Sequence, residues 1–457
     1  MFEEGDAFLN APRVLIAGTG SGCGKTTFTC ALMGALTRRG LAVQGFKCGP
    51  DYIDPMFHTR VTGRESSNLD SFLLPKATLR RLLRKNAQGA DCSVIEGVMG
   101  FYDGRGQGTE GSSHEIAAMT KTPALLVLNA RGASASLAAT AKGFVAFRPN
   151  SGIAGFLLNG TDERRLAVLK PMLEDETGLE TLGCLPRMED CSLESRHLGL
   201  VTAQEVTDLD AKIARLATQA ERSVDLERLL AVAASAPPLP EESFPPLPCL
   251  GPFRLAVARD EAFCFYYRDA LDLLEEVGAQ LVFFSPLHDS TPPQDADGLY
   301  LGGGYPELHA ARLSANTSML EGLRRLVTGG LPTFAECGGF MLLCAYLRTS
   351  DGVFKMSGVL EGEIFVTSKL TRFGYVELTA ERTGLLALQG WTGRGHEFHY
   401  SDGTNNGDGF LIFKSGGPSW RGIHATSTLH AGYPHIHLCG DPQLALNFAR
   451  ACKEQAQ

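Results

Sequence analysis

One stretch, Gly18-Thr-Gly-Ser-Gly-Cys-Gly-Lys-Thr-Thr27, restricts the fold of this chain more than any other. The apolar run 14–17 before it reads as a buried strand, and residues 28–36 after it read as a helix. A glycine-rich turn between a strand and a helix N-terminus turns backbone N–H groups inward and adds the positive end of the helix dipole. That geometry cradles phosphate. Lys25 is placed to reach the β/γ-phosphates of a nucleotide, and Thr26 to offer a hydroxyl to Mg²⁺. Gly20, Gly22, Gly24 and Thr27 complete the expected ATP-binding loop. The spacing departs from the common GxxxxGK[ST] form: five residues separate Gly18 from Gly24, and position 19 is Thr.

Such a loop belongs to an α/β fold, and the chain around it alternates accordingly. Apolar runs at 42–46, 92–96, 124–128 and 153–158 read as further strands separated by helical stretches, which predicts a parallel, doubly wound sheet. Leu209, Ile213, Leu216 and Ala220 recur at helical spacing in a last amphipathic segment. The run 236–252, APPLPEESFPPLPCLGP, cannot sustain a helix or a central strand and reads as a semi-rigid linker. Alternation then restarts, with strands expected at 255–258, 280–284, 298–301 and 333–335. The sequence therefore predicts two doubly wound, mostly parallel α/β domains, 1–235 and 253–457, within the 457 residues. A formal net charge of -9 argues against a nucleic-acid groove or an anionic membrane surface as partner. No run is long and apolar enough to span a membrane, and residues 1–10 are acidic rather than basic-then-apolar, so no signal peptide is expected. Twelve cysteines without a CxxC pair read as reduced thiols of a cytoplasmic protein, most of them small core residues.

Two more segments of the first half carry polar groups at strand ends, where ligands sit in open α/β sheets. Residues 46–58 (FKCGPDYIDPMFH) bring Lys47, Asp51, Tyr52, Asp54 and His58. Taken alone, this is also what a polar loop with a Gly-Pro turn looks like. In residues 94–104 (VIEGVMGFYDG), Glu96 ends an apolar strand as an acidic Mg²⁺ ligand would, or as a simple turn carboxylate would.

In the second half, residues 332–343 (PTFAECGGFMLL) set Cys337 between a strand-like entry and a helix-like exit. This is the logic of a nucleophile elbow, with the helix N-terminus expected to lower the thiol pKa and the N–H of Gly338 to face a developing oxyanion. The glycine run 302–304 is expected to supply the second oxyanion donor from Gly303 or Gly304. A thiol nucleophile needs a base. His396, His399, His435 and His437 cluster late, and spacing does not choose among them.

These segments together resemble the cobyrinic acid a,c-diamide synthase family over nearly the whole chain. The resemblance adds 195–200 (SRHLGL), 258–267 (ARDEAFCFYY), 284–286 (FSP), 395–401 (GHEFHYS) and 433–437 (YPHIH) to the motifs above. It implies a dethiobiotin-synthetase-like ATPase domain joined to a class I glutamine amidotransferase domain. The activity it implies is a carbon–nitrogen ligase of cobalamin biosynthesis that amidates the a and c acetates of a corrin-type macrocycle. ATP and glutamine are the implied co-substrates and Mg²⁺ the cofactor. By resemblance Cys337 is the nucleophile and His435 its base, and Thr26, Asp51 and Glu96 form the Mg²⁺ shell. Lys47, Tyr52, Asp54 and His58 then lie on the substrate side. The same motifs fit amidation of hydrogenobyrinate or nickel-sirohydrochlorin, and a non-amidating P-loop ATPase switch is the rival of another class. Many class I amidotransferases carry Glu two residues after the base. Here that place holds His437, which implies a Cys–His dyad. Asn129 stands where the family often has Asp, and Pro434 precedes the base. A homodimer is compatible with the resemblance.

Overall fold

The computed structural model describes residues 11–191, 195–196, 199–200, 202–203, 205–239, 246–414 and 416–456. The acidic start 1–10, residues 197–198 and the side chains of the 195–200 motif, and linker residues 240–245 lie outside the description. The chain divides into two compact units, Met1–Phe244 and Pro245–Gln457. Among the described residues no helix is long and apolar enough to cross a membrane.

The first unit is built on one sheet of seven strands: β1 (Arg13–Gly18), β2 (Val43–Cys48), β3 (Ser67–Leu69), β4 (Cys92–Glu96), β5 (Ala124–Asn129), β6 (Ile153–Asn159) and β7 (Glu180–Leu185). All neighbours are parallel, in the order β3-β2-β4-β1-β5-β6-β7. Helices cover both faces, so the central strands are apolar without alternation: residues 14–17 and 124–128 are wholly buried. The two edge strands have no such signature. β3 is Ser-Asn-Leu and β7 carries Glu180, Thr181 and Gly183, which is why sequence patterning passes over both. From β1 the chain runs through helix α1 (Lys25–Arg38) to β2 on one side, whereas from β4 it runs to β5 on the other. The switch point between β1 and β4 opens the crevice in which α/β sheets hold ligands. It places the glycine loop and Glu96 side by side.

The predicted amphipathic segment is helix Leu209–Ser223, which buries Leu209, Leu216 and Ala220. It crosses α1 closely because both helices are small at the contact: a methyl group at Gly34 would lie 3.1 Å from Ala217 Cβ.

The second unit has a six-stranded sheet ordered Ala279–Phe284, Phe253–Ala258, Gly298–Leu301, Thr333–Glu336, Leu429–Gly432 and His424–Ala425. Its first five strands are parallel and the last is antiparallel. Between helix Gly338–Leu343 and the return at Leu429–Gly432 the chain forms two four-stranded sheets. Sequence reading did not anticipate them. Their strands are mostly antiparallel and half-buried, as Arg372–Ala380 illustrates, so no long apolar run marks them. Strand Thr392–His399 of these sheets carries His396, Glu397 and His399.

Candidate active sites

At the switch point of the first unit, polar groups from three segments meet on Glu96. Thr26 Oγ1 donates to Glu96 Oε1 at 2.5 Å and Lys47 Nζ to the same oxygen at 3.0 Å. His58 Nε2 donates to Oε2 at 2.7 Å. Lys47 also donates to Asp54 and, at 3.2 Å, to the Gly97 carbonyl. Glu96 is fully buried. Burial alone would raise its pKa, but the Lys47 charge and the His58 hydrogen bond hold it well below the usual carboxylate range. Burial opposes the charge on Lys47, yet Asp54, Glu96 and Asp51 together raise its pKa well above the ordinary value. Burial, with Asp51 and Glu96 adding, pushes the Asp54 carboxyl up against the pull of Lys47.

The structure thus brings Thr26, Lys47, Asp54, His58 and Glu96 into one network. Asp51 stands at its edge and accepts the N–H groups of Ile53 and Asp54 at 2.8 and 3.1 Å, capping helix α2 (Ile53–Thr62). Tyr52 is buried at the start of that helix. Lys47, Asp54 and His58 are also buried, His58 completely. In this arrangement they face Glu96 and one another, where the sequence suggested open substrate-side groups. A lysine, a carboxylate and an imidazole removed from water stay there only when paired.

Lys25 donates to the carbonyls of Gly20 at 2.9 Å and Met99 at 2.6 Å. Burial lowers its pKa, with Cys23 and Glu96 opposing. Met99 holds that carbonyl in a left-handed conformation, φ 47, unusual for a side chain of its size. Sequence reasoning missed Met99, and it missed Asn159, whose Nδ2 donates to the loop carbonyl of Cys23 at 2.9 Å. Asn159 did carry a signal, since it is a polar residue ending an apolar strand. Asn129 ends the neighbouring strand, exposed, and accepts the N–H of Arg131 at 3.2 Å.

In the second unit Cys337 sits between strand Thr333–Glu336 and helix Gly338–Leu343 with φ 47 and ψ -101. Such a conformation costs on the order of 1–3 kcal/mol and is kept where the surroundings impose it. The Cys337 N–H donates to Gly432 at 2.8 Å and Gly339 to Gly302 at 2.9 Å, which fixes the elbow from two sides. A methyl group at Gly338 would lie 3.0 Å from the Gly304 nitrogen, and one at Gly303 would lie 2.5 Å from His435 Cε1. Gly338, Gly303, Gly304 and His435 therefore share one locus beside Cys337. Gly303 is tied to Phe265 by an antiparallel bridge, its carbonyl accepting the Phe265 N–H at 3.0 Å. Gly304 must be glycine, because at φ 157 a Cβ would lie 2.0 Å from the Ala262 oxygen.

The expected lowering of the thiol pKa does not occur. Burial pushes Cys337 up, Glu307 and Glu397 add to it, and the Gly338 N–H opposes too weakly to reverse it. A six-residue helix contributes little against complete desolvation. Burial brings His435 down to about 3. Free of substrate, the pair is a neutral thiol and a neutral imidazole.

The late histidines take distinct places. His435 and His396 exchange backbone hydrogen bonds of 2.9 and 3.1 Å, and their rings stack at 4.9 Å. His396 Nε2 lies 2.7 Å from the Tyr267 hydroxyl. His437 accepts the Cys439 N–H at 3.3 Å and stacks on Tyr267 at 4.3 Å, holding a turn where a class I triad would place its acid. His399 stacks on Tyr433 at 3.8 Å and lies 3.4 Å from Glu397 Oε2. Glu336, unremarked in the sequence, is buried with burial raising its carboxyl to about 8.

Residues 14–201 match a profile described as the CobQ/CobB/MinD/ParA nucleotide binding domain, and residues 254–443 match the CobB/CobQ-like glutamine amidotransferase domain. Relatives carrying the name cobyrinate a,c-diamide synthase align end to end. The Priestia megaterium protein is 39% identical over 453 residues, 96% of this chain and 97% of the relative. The Salmonella typhimurium (strain LT2) protein is 40% identical over 452 residues, 96% and 98% of the two chains. That of Dehalococcoides mccartyi (strain CBDB1) is 38% identical over 473 residues, 98% and 99%. With a phosphate loop and a cysteine elbow in place and both halves matched at full length, the chain belongs to the cobyrinate a,c-diamide synthase family.

Proposed function

We infer that this protein is a cobyrinate a,c-diamide synthase, converting the a and c acetate carboxylates of cobyrinate to amides with ATP and glutamine. The observation that carries the reading is a phosphate-loop network on Glu96 in one unit and a cysteine elbow in the other, in a chain that matches such synthases over its whole length. A carboxylate is a poor electrophile and must be activated before ammonia attacks it. In the reading, a substrate carboxylate oxygen attacks the γ-phosphorus of ATP, the bond to the bridging oxygen breaks, and ADP leaves. Ammonia then adds to the acyl phosphate carbon and expels phosphate.

Lys25 and the loop N–H groups stabilise charge on the transferring phosphoryl group, Lys25 exchanging its carbonyl partners for phosphate oxygens. The residues fit Mg²⁺: a hydroxyl, Thr26 Oγ1, lies against an ionised carboxylate, Glu96 Oε1, at the end of β4. When bound, the ion neutralises phosphate charge. Thr26, Glu96 and Asp51 would hold it, and Lys47, Asp54 and His58 keep Glu96 ionised and oriented. Tyr52, at the start of α2, is the group this reading keeps on the substrate side. On the glutamine side, Cys337 Sγ attacks the carboxamide carbon as His435 takes the thiol proton. The tetrahedral oxyanion is met by the N–H groups of Gly338 and of Gly303 or Gly304. His435 returns the proton to the departing nitrogen, ammonia leaves, and water hydrolyses the thioester to glutamate.

The test is mass spectrometry of product formed from cobyrinate, hydrogenobyrinate and nickel-sirohydrochlorin in parallel, each with Mg-ATP and glutamine. Two amides on cobyrinate, dependent on both co-substrates, are expected. Diamidation of another macrocycle with cobyrinate untouched would reassign the acceptor.

A further inference from the structure

Strand Thr333–Glu336 is wholly buried, and its last residue is a carboxylic acid set immediately before the nucleophile. Glu336 is 2% exposed, and both of its oxygens are engaged. Oε1 accepts the backbone N–H of Ile436 at 2.8 Å. Oε2 accepts the hydroxyl of Tyr300, also at 2.8 Å. The two partners belong to different parts of the glutaminase site. Ile436 directly follows His435. Tyr300 lies in strand Gly298–Leu301, whose exit is the glycine run 302–304.

The base-bearing segment needs such a tie. It leaves the sheet at Gly432, the register partner of Glu336, and runs through 433–437 without regular structure until the turn Leu438–Gly440. His435 itself is held to His396 by the paired backbone bonds, and Ile436 is held to Glu336. The Tyr300 ring stacks on Phe334 at 4.7 Å and packs edge-on against Tyr266, whose hydroxyl accepts the Gly302 N–H at 2.8 Å. A buried carboxyl is costly, and an apolar side chain would fill this space without that cost. Nothing in the chemistry described above uses Glu336.

We propose that Glu336 is a positioning residue for glutamine hydrolysis: one carboxyl oxygen fixes the base segment at Ile436, the other fixes the oxyanion strand at Tyr300. It thereby registers both against the Cys337 to which it is joined. The proposal rests on the reading of Cys337 as nucleophile and His435 as base. Positioning of this kind acts on turnover, because a displacement of about 1 Å between reacting groups costs on the order of a hundredfold in rate.

The experiment compares Glu336→Leu, Glu336→Gln and Tyr300→Phe in the full chain. For each, kcat and KM for glutamine hydrolysis are measured, and ammonium-supported amidation serves as an internal control for folding. Glu336→Leu is expected to lower glutaminase kcat by about 10- to 100-fold with KM within about threefold and ammonium-supported amidation retained. Glu336→Gln keeps an acceptor for Ile436 and is expected to recover most of the turnover. Tyr300→Phe cuts a single bond and should fall between the two. Wild-type glutaminase turnover in Glu336→Leu overturns the proposal, and so does parallel loss of both activities. Should Glu336→Leu fail to fold, Tyr300→Phe decides: unchanged kcat overturns the proposal, and a selective loss supports it. Cys337→Ser run alongside separates the two readings, since a variant that still hydrolysed glutamine would remove the underlying assignment of the nucleophile.

Discussion

Cys337 is held by its surroundings in a left-handed conformation with its thiol desolvated among carboxylates, so its proton is hard to remove until substrate arrives. This has a chemical consequence. Alkylation follows the thiolate, so at about pH 7 Cys337 is expected to react with iodoacetamide more slowly than Cys249, the exposed cysteine of the described residues. Peptide mass spectrometry after timed labelling reads the order, and preferential modification of Cys337 would show an activated resting thiol instead. The residues most legible in the sequence were those whose backbone context is unmistakable: Lys25 and Thr26 after a glycine loop, and Cys337 before two glycines. What could not be read was how buried polar groups share partners. Lys47, Asp54 and His58 are recognisable as polar residues at a strand end. Only the fold shows that they converge on Glu96. Likewise the four late histidines are equivalent by spacing, and it is the approach of Gly303 that singles out His435.

At the scale of elements, the parallel strands were legible because burial on both faces writes a continuous apolar run. Predicted 14–17 and 153–158 extend by one residue or so to Arg13–Gly18 and Ile153–Asn159. Edge strands β3 and β7 and the mostly antiparallel sheets of residues 344–422 have no such run, and they were missed. That omission reached the site, since strand Thr392–His399 supplies His396 and Glu397. Helix packing was legible only in part. The period of Leu209, Leu216 and Ala220 is plain, whereas the close crossing at Gly34 and Ala217 depends on two small residues distant in sequence. Overfilling that crossing with Gly34→Leu should destabilise the protein by about 1–3 kcal/mol, read from the urea midpoint. Because α1 begins with Lys25 and Thr26, the KM for ATP should rise as well. An unchanged midpoint would mean that the two helices are not in firm contact.

At the scale of the molecule, the second unit stores several ionisable groups in the wrong medium, and its stability must follow pH. Burial lowers His430, His435 and His437 each to about 3 from 6.5. The folded form keeps them neutral while the unfolded chain takes up protons below 6.5, so their contribution is complete above that value and lost as pH falls toward 3. Glu336 acts in the opposite sense, because its carboxyl is raised from 4.5 to about 8 by burial, with Ile436 and Tyr300 opposing. Its ionisation weakens the fold progressively as pH rises across that interval. Urea unfolding of the intact chain should therefore show a steep acid limb and a shallow decline from about pH 6.5 to 8, and Glu336→Gln should lessen the decline while leaving the acid limb in place. A wild-type profile flat between those values would place Glu336 in a wetter site than the fold gives it. The central claim is that glutamine hydrolysis and carboxylate activation are separate reactions of separate units. The measurement that tests it most directly is amidation of cobyrinate by Cys337→Ala and Lys25→Ala, each supplied in turn with glutamine and with an ammonium salt. The account predicts that Cys337→Ala is inactive with glutamine but active with ammonium, and that Lys25→Ala is inactive with both. A folded Cys337→Ala protein that is inactive with ammonium, or a Lys25→Ala protein that still amidates, would contradict it.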